Sequence, residues 1–364
     1  MNYIAHKFSR QADTDFIKTL RKRVNEYFRS NNISRYANAS MVIKTICMLS
    51  LYFVPYFLML FGVFENAWIL FFMWVVMAAG MSGIGLSIMH DANHGSYSKN
   101  KTVNQVLSYL INFVGGNVAN WRIQHNVLHH TFTNIQGADQ DLDGPFFLRF
   151  SPHKKRIPIH RFQHIYAWFF YSLMTLYWAT AKEFIQIVQF KKLGLTQTPK
   201  RYRRIMAGLV FWKTFYIGYS LVLPLIFIPA SPWFILLCYC CMHFITGLVL
   251  SIVFQSAHIM DTSEYPLPDN SGEIQNNWAV HQLMNTANFA PKSRILSWFV
   301  GGLNFQIEHH LFPDICHIHY KKVSEIVKST AQQFGLPYHS NRTFFSALAE
   351  HARMLKKLGR PELA

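Results

Sequence analysis

The chain has 364 residues, of which 51% are hydrophobic, 16% are aromatic and only 15% are charged. Soluble domains carry about 25% charged residues, so this composition excludes an ordinary soluble protein as well as a disordered one. Lys and Arg number 35 against 18 Asp and Glu, a formal net charge of +17, and the five cysteines have no spacing typical of a disulfide scaffold. The composition predicts an integral membrane protein of a reducing compartment.

The first predicted elements are a polar, basic segment and a membrane hairpin. Residues 1–40 lack the apolar stretch of a signal peptide. A membrane-spanning helix needs roughly 20 apolar residues. The stretches 45–64 and 66–89 contain no charged side chain. They predict two spans that are joined by a tight turn at Glu65 and Asn66.

A second hairpin is predicted further along the chain. Its spans are 209–229 and 232–254, and Pro229 and Pro232 mark the break between them. Lys213 lies inside the first of these spans. A lysine is compatible with a span where its ammonium group reaches the lipid headgroups, so we expect Lys213 near the cytoplasmic end.

Two other apolar stretches are predicted to be interfacial or re-entrant helices. Residues 103–118 are too polar for a span, and residues 164–181 have strongly basic sequence on both sides. Basic flanks remain in the cytoplasm, so 164–181 cannot cross the membrane once. The predicted fold is an all-α membrane protein with four transmembrane helices in two hairpins, interfacial helices and a cytoplasmic helical cap. The predicted membrane domain covers 41–330, and 331–364 form a cytoplasmic tail.

The 18 histidines are concentrated at the ends of the predicted spans. Residues four apart on a helix share a face, so such a pair of histidines can hold a metal ion from two points. One pair is more often a coincidence than a ligand set, but three clusters beside spans favour a metal site. An even number of crossings places all three on the same cytoplasmic face. The clusters are His90-Asp-Ala-Asn-His94, His125-Asn-Val-Leu-His129-His130 and Gln306-Ile-Glu-His309-His310.

The type of metal is constrained only in part by these residues. Seven imidazoles exceed the four ligands of one tetrahedral zinc, and imidazole also suits iron, copper and nickel. Asp91 and Glu308 inside the clusters, and Asp139 after the second, are candidates to orient a histidine ring. Asp139 also fits an alternative in which it belongs to a solvated loop. The residues by themselves predict a polyhistidine metal site, with the metal left open.

The motifs HDANH, HNVLHH and QIEHH resemble the three histidine boxes of integral-membrane fatty acid desaturases. The resemblance covers about residues 40–330. Gln306, which opens the third box, is similar to the first residue of that box in the front-end subgroup. Members of this subgroup insert a double bond between an existing one and the carboxyl end.

The resemblance implies a non-haem di-iron centre that uses O₂ to insert a double bond into a fatty acyl chain carried on CoA, a carrier protein or a lipid. Electrons would come from a separate cytochrome b5 or ferredoxin, and nucleic acid is not a partner. His258 occupies the place of a further family ligand at the cytoplasmic end of the fourth span. Gln306, Gln255 and His281 are possible additional ligands or their supports. The implied ligands are His90, His94, His125, His129, His130, His258, His309 and His310.

Two alternatives remain at this stage. Related di-iron hydroxylases use similar histidine boxes, and the front-end character of the third box disfavours them. A non-enzymatic metal transporter or haem-binding subunit is the other alternative. A transporter would place polar ligands within the spans, whereas nearly all of these histidines lie at or beyond the span ends.

Overall fold

The structure of the protein is a computed structural model that describes residues 6–9 and 14–361. The remaining parts of the predicted N-terminal segment and C-terminal tail lie outside the described residues. The chain forms two compact units, the first made of 38–123 and 168–251 and the second of the other described segments.

Four helices are long and apolar enough to cross a membrane, which confirms the predicted number of spans. The first begins after Asn38, whose side chain accepts a hydrogen bond from the Met41 amide. The second begins after Asn66, which caps the Trp68 and Ile69 amides in the same way and so ends the predicted turn. The spans are Ala39–Leu60, Ala67–His94, Pro199–Phe227 and Pro232–His258.

The first unit also contains the stretches predicted to be interfacial or re-entrant. Neither stretch forms one of the four membrane-length helices among the described residues. In 103–118 the helix ends at Phe113, before Gly115 and Gly116, and 164–181 is interrupted at Leu173 and by a π-helical turn. The helices in and beside these stretches are Lys101–Ser108, Leu110–Phe113, Val118–Trp121, Gln163–Ser172, Met174–Tyr177 and Glu183–Lys192. A π-helical turn occupies Trp178–Lys182, and two others, Ile84–Ile88 and Gly218–Val222, lie within the second and third spans.

The first two spans pack closely along small residues of the second span. A Cβ atom on Gly80 would lie 2.6 Å from the Tyr52 backbone nitrogen, and one on Gly83 would overlap the Met48 sulfur. Without side chains at these positions the two helix backbones can approach each other, which strengthens van der Waals packing in a membrane.

Lys213 has a charged partner inside the protein, so it does not depend on the lipid headgroups for compensation of its charge. Its ammonium group is buried and lies 2.6 Å from the Glu183 carboxylate. Glu183 also accepts hydrogen bonds from the Trp178 indole at 2.7 Å and from the Asn117 amide at 2.9 Å. Burial raises the pKa of Glu183, and the nearby Lys213 opposes this by stabilising the carboxylate. The pair joins three segments that are distant in sequence.

The second unit is built around an amphipathic pair of helices. The helix Thr14–Ser30 buries Phe16, Leu20, Val24 and Phe28, which are four residues apart and therefore form one stripe. This stripe belongs to the same core as Val323 and Val327 of the helix Tyr320–Gln333. The other helices are Arg122–His129 (π), His130–Phe132, Pro158–Phe162 (3₁₀), Trp278–Asn285, Arg294–Phe299, Gln306–Leu311, His317–His319 (3₁₀) and Phe344–Leu358.

Two short parallel strand pairs, which the sequence did not predict, complete this unit. Lys7–Phe8 pairs with Glu273–Ile274, and Asn288–Phe289 pairs with Ser340–Asn341. The second pair ties part of the predicted C-terminal tail to the segment before the third histidine box. The domain boundaries themselves stay a prediction.

Candidate metal centre

The first histidine box belongs to the first unit. His90 and His94 lie on the last helical turns of the second span, directly after the π-helical turn Ile84–Ile88. Their ring centroids are 4.8 Å apart, and each lies 5.6 Å from the Trp121 ring. The two rings therefore share one helix face, as their spacing predicts.

The other histidines belong to the second unit. The second box lies on the π-helical segment Arg122–His129 and the short helix that follows it, and the third box lies on Gln306–Leu311. His258 is the last residue of the fourth membrane helix. π-Helical turns are rare and occur often at functional sites, where they redirect side chains.

Three of these histidines form a compact set that we call the His129 group, consisting of His129, His258 and His310. One ring nitrogen from each lies within 4.8 Å of the others. All three side chains are buried, and the Nε2 atom of each has no hydrogen-bond partner among the residues that the structure describes. Within the same described part of the chain, the buried side-chain oxygen of Gln306 also has no partner.

The opposite ring nitrogen of each member faces an oxygen atom. His129 Nδ1 lies 3.1 Å from Asp139 Oδ2, His258 Nδ1 lies 3.3 Å from the Asn285 carbonyl, and His310 Nδ1 lies 2.8 Å from Gln282 Oε1. These oxygens accept hydrogen bonds, so each Nδ1 carries the proton and each Nε2 keeps a lone pair. Buried lone pairs without a donor are unfavourable, and a metal cation would satisfy all three.

A second set, the His130 group, consists of His125, His130 and His309. His130 Nε2 lies 3.1 Å from His125 Nε2 and 2.9 Å from His309 Nε2. Neighbouring ligands of one metal ion, each about 2.1 Å from it, are separated by about 3 Å. His310 also offers a nitrogen within 4.8 Å of those of His130 and His309, so it is a candidate ligand of either site.

The buried Asp139 carboxylate contacts the His129 ring and two backbone amides. Its Oδ2 atom accepts from His129 Nδ1 and, at 3.0 Å, from the Asn134 amide, while its Oδ1 accepts from the Asp141 amide at 3.0 Å. Burial works against ionisation, but the His129 ring and these amides hold the pKa of Asp139 below its usual range. Asp139 is therefore a buried carboxylate that favours the proton on Nδ1 of His129.

Replacing Asp139 by asparagine should weaken metal binding about 10- to 100-fold. All three partners of the carboxylate are N–H donors, so an amide group would place its own N–H₂ against one of them. The measurement is a titration of metal-stripped protein with Fe²⁺ under anaerobic conditions. The matched control is Asp143→Asn, because Asp143 is exposed and accepts from Gln136 instead. Equal affinities in both variants would contradict this role of Asp139.

Other candidate residues from the sequence occupy different positions. The Glu308 carboxylate accepts from Asn288 Nδ2 at 2.8 Å and from the Tyr338 hydroxyl at 3.0 Å, so it anchors the third box to one segment before it and one after it. Burial raises the pKa of Glu308 to about 7. Asp91 is buried within the first box. Gln255 is half-buried, one helical turn before His258.

Both ring nitrogens of His281 are hydrogen-bonded. Its Nε2 donates to the Thr133 carbonyl at 2.7 Å, and its Nδ1 accepts from Asn285 Nδ2 at 3.2 Å. Burial lowers the pKa of His281 to about 4, so the ring is neutral. The structure places His281 as a support for the second box and leaves it no free nitrogen for a metal ion.

Sequence reasoning missed Gln282 and Thr133. Gln282 directly follows His281, and only its position on the helix Trp278–Asn285 shows that its amide contacts His310. Thr133 donates to the His129 carbonyl at 2.7 Å. A signal was available in the sequence, because buried polar residues beside a histidine pair are typical supports of metal ligands.

The ligand set fits a transition metal that accepts imidazole nitrogen and amide oxygen, and iron is among these. Comparison with known proteins gives the class of reaction. The sequence model of the fatty acid desaturase family matches residues 66–342. The chain is 37% identical to the sn-1 linoleoyl-lipid 6-desaturase of Arthrospira platensis, over 94% of this chain and 92% of that protein.

Two further relatives cover nearly the whole chain. It is 35% identical to the sn-1 linoleoyl-lipid 6-desaturase of Synechocystis sp., over 95% of this chain and 96% of that protein. It is 34% identical to the acyl-lipid (8-3)-desaturase of Physcomitrium patens, over 96% of this chain and 72% of that protein. The chain therefore belongs to the fatty acid desaturase family, enzymes that introduce double bonds into acyl chains.

Proposed function

We propose that this enzyme is a di-iron acyl-lipid desaturase of the front-end type. The observation that carries the proposal is the His129 group, in which three buried Nε2 atoms lack partners among the described residues while each Nδ1 faces an acceptor. The His130 group supplies a second cation site, and the first box contributes a helical clamp. The proposed ligands are His90, His94, His125, His129, His130, His258, His309 and His310, with Gln306 at or next to the metal.

A pair of bound iron ions would supply the redox chemistry by which O₂ removes two hydrogens from an unactivated acyl chain. The chain's own residues prepare the ligands for this. Asp139 and Gln282 keep the proton on Nδ1 of their histidines, so that Nε2 remains available. The Phe254 ring, with its centroid 4.8 Å from those of both His129 and His258, shields one side of this group from water.

The proposed substrate is a polyunsaturated acyl chain carried on a membrane lipid. Support comes from the relatives, which are named linoleoyl-lipid and acyl-lipid desaturases, and from Gln306 at the start of the third box. Within this class we propose a linoleoyl chain as substrate, with the new double bond on its carboxyl side. CoA thioesters are the alternative carrier.

Two further parts of the proposal concern the surroundings of the enzyme. Electrons would come from a separate protein, a cytochrome b5 or a ferredoxin. The active site and both termini would face the cytoplasm, since four spans return the chain to its starting side and the segments flanking the spans are basic.

The product identifies the reaction. A host that makes no polyunsaturated fatty acids beyond the linoleate supplied to it should accumulate one new trienoic acid when it expresses this chain. Mass spectrometry of intact lipids and of the CoA pool after a short pulse then shows which carrier acquires the new bond first, and we expect the lipid. A product that gains oxygen would identify a hydroxylase, and active protein that contains zinc without iron would contradict the di-iron centre.

A further inference from the structure

Gln282 stands out among the buried polar residues because it contacts two histidine boxes at once. It lies fully buried on the helix Trp278–Asn285. Its Oε1 is 2.8 Å from His310 Nδ1, in the third box, and its Nε2 donates to the carbonyl of His130, in the second box, at 3.2 Å.

The His130 carbonyl determines which way this amide points. A carbonyl can only accept, so the NH₂ group of Gln282 must face it and the Oε1 atom must face His310. The Thr133 hydroxyl lies 2.9 Å from the same Oε1, and its single proton can be donated either to that oxygen or to the His129 carbonyl 2.7 Å away. The Trp278 indole donates to the His130 carbonyl at 3.0 Å and holds that carbonyl in place.

The orientation of the amide in turn decides the tautomer of His310. An oxygen 2.8 Å from Nδ1 requires a proton on Nδ1, and a neutral imidazole then has its lone pair on Nε2. With the amide reversed, the proton would move to Nε2 and His310 could not bind a metal ion. His310 is a candidate ligand of either site, and with the proton on Nδ1 its one lone pair can bind one metal ion.

We propose that Gln282 is a positioning residue that sets His310 in its metal-binding tautomer. The His130 carbonyl orients the Gln282 amide, and this orientation places an acceptor against His310 Nδ1. This inference rests on the proposed metal centre. It gives the helix Trp278–Asn285 a role in metal affinity. The backbone carbonyl of His130 orients Gln282, and Gln282 thereby determines which ring nitrogen of His310 can bind the ion.

The test is a titration of metal-stripped protein in detergent micelles with Co²⁺, followed by the visible absorption of the bound ion. Gln282→Met keeps the volume and removes both hydrogen bonds, so affinity should fall about 10- to 100-fold. Gln282→Glu keeps an acceptor for His310, so affinity should stay within a few-fold of the native protein. The control is Gln163→Met, which removes an equally buried amide that hydrogen-bonds Arg149 and Leu355.

Native affinity in Gln282→Met would overturn the inference. Equal loss in the Met and Glu variants would also overturn it, because the acceptor would then be irrelevant. If Gln282→Met does not fold, as thermal unfolding of the metal-free protein shows, the Glu variant decides: near-native affinity supports the tautomer role, and a tenfold loss refutes it. Failure of the native protein to bind Co²⁺ would instead contradict the proposed function itself.

Discussion

Replacement of His310 by alanine should abolish double-bond formation and lower the iron content of the protein. His310 offers a nitrogen to the His129 group and also lies within ligand distance of His130 and His309. With the proton on Nδ1, its one remaining lone pair can bind one ion, and that ion loses a ligand when the ring is removed. We expect product to fall by at least about 100-fold, more than removal of a supporting residue causes. Metal analysis and product analysis of the same preparation measure the two effects.

The control for His310→Ala is an equally buried histidine outside both groups. His160 is fully buried, donates to the Phe146 carbonyl from Nε2 and accepts from the Ile157 amide at Nδ1. His160→Ala should lower the temperature of unfolding yet keep iron and activity below that temperature. Normal iron content and product formation in His310→Ala would refute the ligand assignment.

Replacement of Lys213 by methionine should destabilise the protein by about 3–5 kcal/mol. The substitution leaves the Glu183 carboxylate buried without its cation, although the Trp178 and Asn117 donors remain. The double variant Lys213→Met/Glu183→Gln should recover much of this loss, because a neutral amide has a far smaller desolvation penalty. Chemical denaturation in detergent measures the free energies of unfolding.

A surface ion pair provides the matched control for this prediction. Lys322 and Glu325 are 3.3 Å apart and both are more than half exposed. Lys322→Met should change the free energy of unfolding by less than about 1 kcal/mol, as solvent screens the pair. The importance of the buried pair would be refuted by a Lys213→Met variant that is as stable as Lys322→Met, or by a double variant no more stable than the single one.

The spans could be predicted because they depend mainly on local composition. A stretch such as 66–89 needs only length and the absence of charge to be recognised, and the structure has a helix over Ala67–His94. Apolar length did not predict the last helical turn, which carries His90 and His94, because these polar residues lie beyond the apolar stretch. The strand pairs were also missed, because two-residue strands depend on distant partners such as Ser340–Asn341.

The sequence by itself determined the fold class, the three histidine boxes and the desaturase family, because apolar length and the spacing of like residues are properties of neighbouring positions. The tertiary structure decided which atoms meet. It showed that Lys213 pairs with Glu183 and that Gln282 faces His310. It also showed that Glu308, a candidate to orient a histidine ring, accepts hydrogen bonds from Asn288 and Tyr338. Hydrogen bonds and ion pairs act over about 3 Å, and only folding brings residues far apart in the chain within that distance.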